Sequence, residues 1–142
     1  MDSARTVLKL RNDLAEITRL AGELEEFCER NAVPAQALMA LNLSLEEIVT
    51  NVISYAFDAG GEHTIGVELA IQGDSVHARV EDDGREYDPL QRADPDVDAP
   101  LDERGIGGLG VLLVRKLMDD VSYSRVDGKN VLTMRKRVAA SA

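Results

Sequence analysis

Leu8 and Leu10 alternate with Lys9 and Arg11, a two-residue period that predicts a short strand ending at Asn12-Asp13. Asn and Asp are good helix caps. Beyond them Leu14, Ile17, Leu20, Ala21, Leu24 and Phe27 recur at three- and four-residue spacing, which predicts an amphipathic helix over 13–30. The stretch from Asn31 to Pro34 breaks it. Pro34 suits the first turn of a second helix, whose stripe of Leu38, Leu41, Leu45, Ile48, Val49 and Val52 continues to about Phe57 before Gly60-Gly61 stops it.

The period then returns to two. Ile65, Val67, Leu69 and Ile71 alternate with more polar residues, Gly73-Asp74 turns the chain, and Val76, Ala78 and Val80 alternate again, so a hairpin is expected. Between 85 and 104, Pro89, Pro95 and Pro100 stand among Glu86, Asp88, Asp94, Asp96, Asp98, Asp102 and Glu103. That mixture predicts a long loop without strand or helix, a feature that is usually functional in a compact domain. A third helix over about 108–119 follows, and Val121–Val126, an Asp127-Gly128 turn and Val131–Val138 form a closing hairpin. The pattern as a whole suits a mixed α/β core of helices and sheet in one domain over 1–142.

Composition narrows the chemistry. A chain of 142 residues supports one core, and its apolar content of 44% rests on aliphatic side chains. A net charge of −10 argues against non-specific nucleic-acid binding, and any bound polyphosphate is expected to arrive with a cation. The single Cys28 allows no internal disulfide and reads as a small core residue, while His63 and His77 are too few for a zinc-type cluster. The N-terminus lacks an apolar signal core and the apolar stretches read as too short to cross a bilayer, so a cytoplasmic protein without membrane contact is expected.

Gly105, Gly107 and Gly110 spell G-x-G-x-x-G, the dinucleotide fingerprint, but that motif needs a strand running into it. Here the preceding residues are DPDVDAPLDER, which leaves only Asp127 as a mimic of the ribose-binding acid. Gly128-Lys129 is followed by Asn130, so there is no Walker A loop. Asp94 to Asp98 imitate a calcium loop for five positions, but Ala99 replaces its turn glycine and Gly105 its bidentate Glu. What stands is a set of glycines opening a helix behind a loop, where backbone N–H groups and the helix dipole favour an anion.

Two further stretches join them. Glu47 and Asn51 are four apart and stack on one flank of the second helix with Ser44 and Tyr55, while Glu46 points to the opposite flank. An Asn carbonyl is a hard donor suited to Mg²⁺ and a Glu one turn away is placed to accept a proton, against the alternative of a merely solvated flank. In VEDDGREYDP, the pleat puts Asp82 on the core face with Val76, Ala78 and Val80. An inward carboxylate needs a donor, and the exocyclic amine of adenine is one; a turn cap or an Arg pair is the other reading. Gly84 lets a base lie against the backbone.

Together these stretches resemble the boxes of the Bergerat-fold ATPases, the group of gyrase, a major heat-shock chaperone and histidine-kinase ATP domains. LSLEEIVTNVISYAF resembles the N-box at Glu47 and Asn51, VEDDGREYDP the first glycine box at Asp82, Gly84, Tyr87, Asp88 and Pro89, and GIGGLGVLLVRKLMDDV the second glycine box with its helix. The stand-alone length and the helix Leu113 to Val121 are similar to the small bacterial anti-sigma-factor serine/threonine kinases. That resemblance implies an α/β two-layer sandwich, a mixed, mostly antiparallel sheet with about three helices packed on one face. It implies Glu47 as catalytic base, Asn51 as Mg²⁺ ligand, Asp82 as adenine contact and Gly84 as part of the base pocket, with Tyr87 and Arg104 also cofactor-binding. It implies an ATP lid at about 88–108, with Gly105, Gly107, Gly108, Leu109 and Gly110 as its hinge and phosphate cradle. It further implies a homodimer that holds a sigma factor and phosphorylates a Ser or Thr of a small STAS-type antagonist; the alternative is a catalytically silent, ATP-responsive binding regulator.

The chain departs from the group's pattern at Glu86, where Gly is common, at Tyr55, where His is frequent, and at Tyr87, where Phe is usual. Neither His63 nor His77 falls on a predicted helix, which disfavours phosphorylation of a histidine on its own chain.

Overall fold

The computed structural model describes residues 4–57, 61–91 and 108–138. Strand β1 (Arg5–Arg11) leads through α1 (Glu16–Arg30) and α2 (Ala35–Tyr55) into the hairpin of β2 (Thr64–Gln72) and β3 (Ser75–Asp82). A short 3-10 turn at Pro89–Gln91 precedes α3 (Gly108–Leu117), and β4 (Asp120–Val126) and β5 (Lys129–Arg137) close the chain. The sheet order is β1-β2-β3-β5-β4. Every pairing among the described strands is antiparallel, in place of the mixed, mostly antiparallel sheet that the resemblance implies. Leu8 and Leu10 of β1, Ile65, Val67 and Leu69 of β2, Val76, Ala78 and Val80 of β3 and Leu132 and Met134 of β5 share one core with the stripes of the helices. Helices thus cover one face of the sheet, as the resemblance implies.

The first helix begins later than its capping residues suggest. Asn12 is drawn into the sheet instead: its backbone N–H donates to the His63 carbonyl at 3.1 Å, and its side-chain oxygen accepts from the His63 N–H at 3.0 Å. Asp13 Oδ1 accepts from Ala15 N–H at 2.9 Å, a turn that delays α1 to Glu16. A second difference lies in the acidic loop, where Asp88 Oδ1 accepts from Leu90 N–H at 2.8 Å and winds Pro89–Gln91 into a 3-10 turn. Most of the expected lid, including Arg104, Gly105 and Gly107, lies outside the described residues.

Helix α2 is the central support. Its 21 residues, with a mean hydropathy of 1.2, meet a length-and-composition criterion for a membrane span, contrary to the reading of the apolar stretches as too short. Half of that apolar window is buried within the protein, with Leu41, Leu45, Ile48 and Val49 fully enclosed, so a core helix satisfies the same criterion. Cys28 is a core residue, and burial pushes its thiol up to about 11. The closing turn uses Asp127 at φ 51° and Gly128 at φ 78°, the left-handed pair that tight hairpins require.

Candidate nucleotide and phosphotransfer site

The α2 stripe fixes which flank carries chemistry. Burying Leu45, Ile48 and Val52 brings Ser44 and Asn51 inside with them, leaves Glu47 half-buried and leaves Glu46 exposed. Asn51 is 1% exposed and its Nδ2 donates to Glu47 Oε1 at 2.9 Å. That bond holds the amide in one orientation. Asn51 Oδ1 is consequently buried without a hydrogen-bond partner, as is Ser44 Oγ. An orphaned carbonyl oxygen costs on the order of 1–3 kcal/mol. A hard cation or a donor from a bound ligand relieves that cost, and the atom suits Mg²⁺.

The other cluster grows from the end of β3. Val76, Ala78 and Val80 are buried on the core face and the pleat carries Asp82 inward with them, 3% exposed. Burial raises its carboxyl above the ordinary carboxylate value, opposed by hydrogen bonds from Asn130 and the Gly84 N–H and by the charge of Arg125. Asn130 Nδ2 and Gly84 N–H each donate to Asp82 Oδ1 at 2.9 Å. The turn-cap reading is therefore met at Gly84, but both bonds end on one oxygen and leave the other lobe of the carboxylate for a ligand amine.

Arg85 ties this cluster to α2. Its backbone N–H donates to the Ala56 carbonyl at 2.9 Å and its Nε to the Tyr55 carbonyl at 2.7 Å, so the chain leaving β3 satisfies the open end of the helix. The fit is close: a Cβ on Gly84 would run into the Ala56 carbonyl oxygen and stand 2.9 Å from its carbon. Ala56 lies five residues beyond Asn51, about 7.5 Å along the axis. The rings of Tyr55 and Tyr87 stand 5.7 Å apart between the clusters.

Tyr87 N–H donates to Asn130 Oδ1 at 3.0 Å, and Asn130 Nδ2 donates in turn to Asp82, so one side chain joins the two residues. Glu86 is exposed; with Asp88 its charge adds to burial in raising the phenol of Tyr123. Gly108, Leu109 and Gly110 form the first turn of α3, so these glycines do open a helix. Sequence reasoning missed Asn130 and Arg85. Asn130 had served only to exclude a Walker A loop, and its position opposite Asp82 follows from the pairing of β3 with β5. No local signal announces that register.

An antiparallel sheet with helices on one face makes a two-layer domain, with a buried carboxylate at the end of β3 and a buried amide on α2. The profile of the histidine kinase-like ATPase domain matches residues 10–136. The chain is 32% identical over 134 residues to the serine/threonine-protein kinase BtrW of Bordetella bronchiseptica, covering 94% of each. It is 29% identical over 135 residues to the serine-protein kinase RsbW of Listeria monocytogenes, covering 92% of this chain and 85% of that one. Among solved structures, the RsbU and RsbW domains of Rv1364c from Mycobacterium tuberculosis superpose with a TM-score of 0.70 at 16% identity, over 98% of this chain and 34% of that longer one. The chain belongs to the histidine kinase-like ATPase domain family, and its sequence relatives place it with the serine and serine/threonine protein kinases of that family.

Proposed function

We propose that the protein is an anti-sigma-factor-type kinase that transfers the γ-phosphoryl group of Mg-ATP to a Ser or Thr of a small STAS-type antagonist, and holds a sigma factor as a cytoplasmic homodimer. The observation that carries the reading is the Glu47–Asn51 pair, a carboxylate hydrogen-bonded to a buried amide whose oxygen has no partner. Asn51 Oδ1 is the ligand for Mg²⁺, which when bound neutralises phosphate charge.

In the transfer, the acceptor hydroxyl oxygen attacks the γ-phosphorus, its proton passes to Glu47, and the bond to the β-phosphate oxygen breaks to release ADP. Asp82 and Gly84 hold the adenine, Tyr87 lies beside them, and the glycines at the start of α3 cradle the phosphates. Kinship with BtrW and RsbW supports the acceptor class, and the net charge of −10 supports a cation-accompanied nucleotide. Incubation with radiolabelled Mg-ATP and the STAS-type proteins of the same genome should label one of them on Ser or Thr. Tight ATP binding with transfer to none of them overturns the proposal.

A further inference from the structure

Asn130 is the most heavily bonded side chain near the site, and nothing in the sequence motifs assigns it a role. It sits opposite Asp82 in the β3–β5 register and is 4% exposed. Its Oδ1 accepts from Tyr87 N–H at 3.0 Å, Tyr123 O–H at 2.6 Å and Arg125 Nη1 at 3.1 Å. Its Nδ2 donates to Asp82 Oδ1 at 2.9 Å and to the Arg85 carbonyl at 2.7 Å.

These partners fix the amide. A backbone N–H and a guanidinium only donate, and a carboxylate and a carbonyl only accept. Turning the amide over would set NH₂ against two obligate donors and an oxygen against two obligate acceptors, so one orientation survives. In that orientation a donor always faces Asp82 Oδ1. That hydrogen bond favours the ionised carboxylate against the effect of burial and orients it, with its second oxygen offered as an acceptor.

We infer that Asn130 is a positioning residue for base selectivity: through Asp82 it makes the pocket accept a purine with an amine at C6 and reject one with a carbonyl there. This rests on the reading of Asp82 as the adenine contact. An amine donates to the held carboxylate, whereas the C6 carbonyl of hypoxanthine meets it lone pair to lone pair and leaves a buried acceptor unpaired. Asn130→Asp keeps the shape but removes the NH₂ donor and sets a second carboxyl against the first, so the two share a proton. Asp82 then gains a donor form that tolerates a carbonyl.

The test is titration of ATP and of inosine triphosphate, each with Mg²⁺, against the wild-type protein and the D82N, N130D and Y123F variants, with thermal melting alongside. The wild type should prefer ATP by on the order of 10²-fold, the discrimination that follows from leaving one buried acceptor unpaired. N130D should reduce that preference by about tenfold or more, as expected when one charge-assisted hydrogen bond is lost. Y123F removes one of the three donors locking the amide and should lower the ratio a few-fold while the melting temperature holds. Equal weakening of both nucleotides in N130D, with the ratio preserved, overturns the inference. If N130D does not fold, an unchanged ratio in Y123F overturns it instead. A collapsed ratio in D82N with an intact one in N130D removes only the role of Asn130; an intact ratio in D82N removes the adenine reading of Asp82 and this inference with it.

Discussion

The two ends of the candidate site are built from similar groups, a carboxylate and a carboxamide hydrogen-bonded at 2.9 Å, yet they are finished differently. At the sheet end, Asn130 meets three donors and two acceptors, and Asp82 receives two donors on one oxygen. At the helix end, Asn51 gives its amide to Glu47 and keeps a buried oxygen without a partner. A saturated network is rigid before any ligand arrives, and an unsatisfied buried acceptor gains most when one does. Under the proposed function the contrast is a division of labour: a pre-organised surface would recognise the base, while the metal and phosphate end would be completed by what it binds.

The sharpest way to separate the two ends is Glu47→Gln. Loss of a general base should slow phosphotransfer by about 10²–10⁴-fold, while ATP affinity, measured by titration, stays within a few-fold. A comparable loss of ATP binding would erase the division. Asn51→Leu tests the helix end from the other side: Mg²⁺ should strengthen ATP binding to the wild type and fail to do so in the variant, whereas a retained Mg²⁺ effect would move the metal elsewhere.

Gly84→Ala should break the sheet end through packing. Its Cβ would stand 2.9 Å from the Ala56 carbonyl carbon and 3.0 Å from Asp82 Oδ1, and overpacking of this kind costs about 1–3 kcal/mol, measurable by urea unfolding. Weakened ATP binding should accompany it. Unaltered stability and binding would show that the join between β3 and α2 is looser than its geometry.

Protonation gives a gentler probe. Because burial raises the Asp82 carboxyl, its proton returns at a higher pH than in the unfolded chain. Within that window the folded state binds more protons, so this group's contribution to stability grows as pH falls. The acceptor for adenine is lost over the same window, so ATP affinity should decline on acidification, and D82N should lack that part of the decline. A wild type and D82N with parallel pH profiles would exclude Asp82 from base recognition.

The smallest effect expected is at Cys28, which belongs to neither end. With its thiol pushed up to about 11 by burial, it should resist iodoacetamide at pH 8 until the protein is unfolded in urea. Site variants that act locally should leave that protection intact, and labelling of the folded variants would show that the whole core had opened.

Much of the site was legible because it rides on periodicity. The α2 stripe placed Glu47 and Asn51 on one flank and Glu46 on another, and the β3 pleat turned Asp82 inward; the structure repeats both placements. Local signals failed where a distant partner competed. Asn12 reads as a helix cap until His63 comes alongside and takes its backbone and side chain. Asp88 reads as part of an irregular loop until it is seen to cap the turn at Pro89.

The sequence by itself determined the strands, the helices, the face each presents and the chemical types gathered on those faces, since these follow from side-chain spacing along a regular backbone. Only the tertiary structure decided that Asn130 stands opposite Asp82 and that Arg85 closes the end of α2. Register and end-to-face contacts depend on which carbonyls and N–H groups meet across 30 or more residues of chain, and no local pattern carries that information.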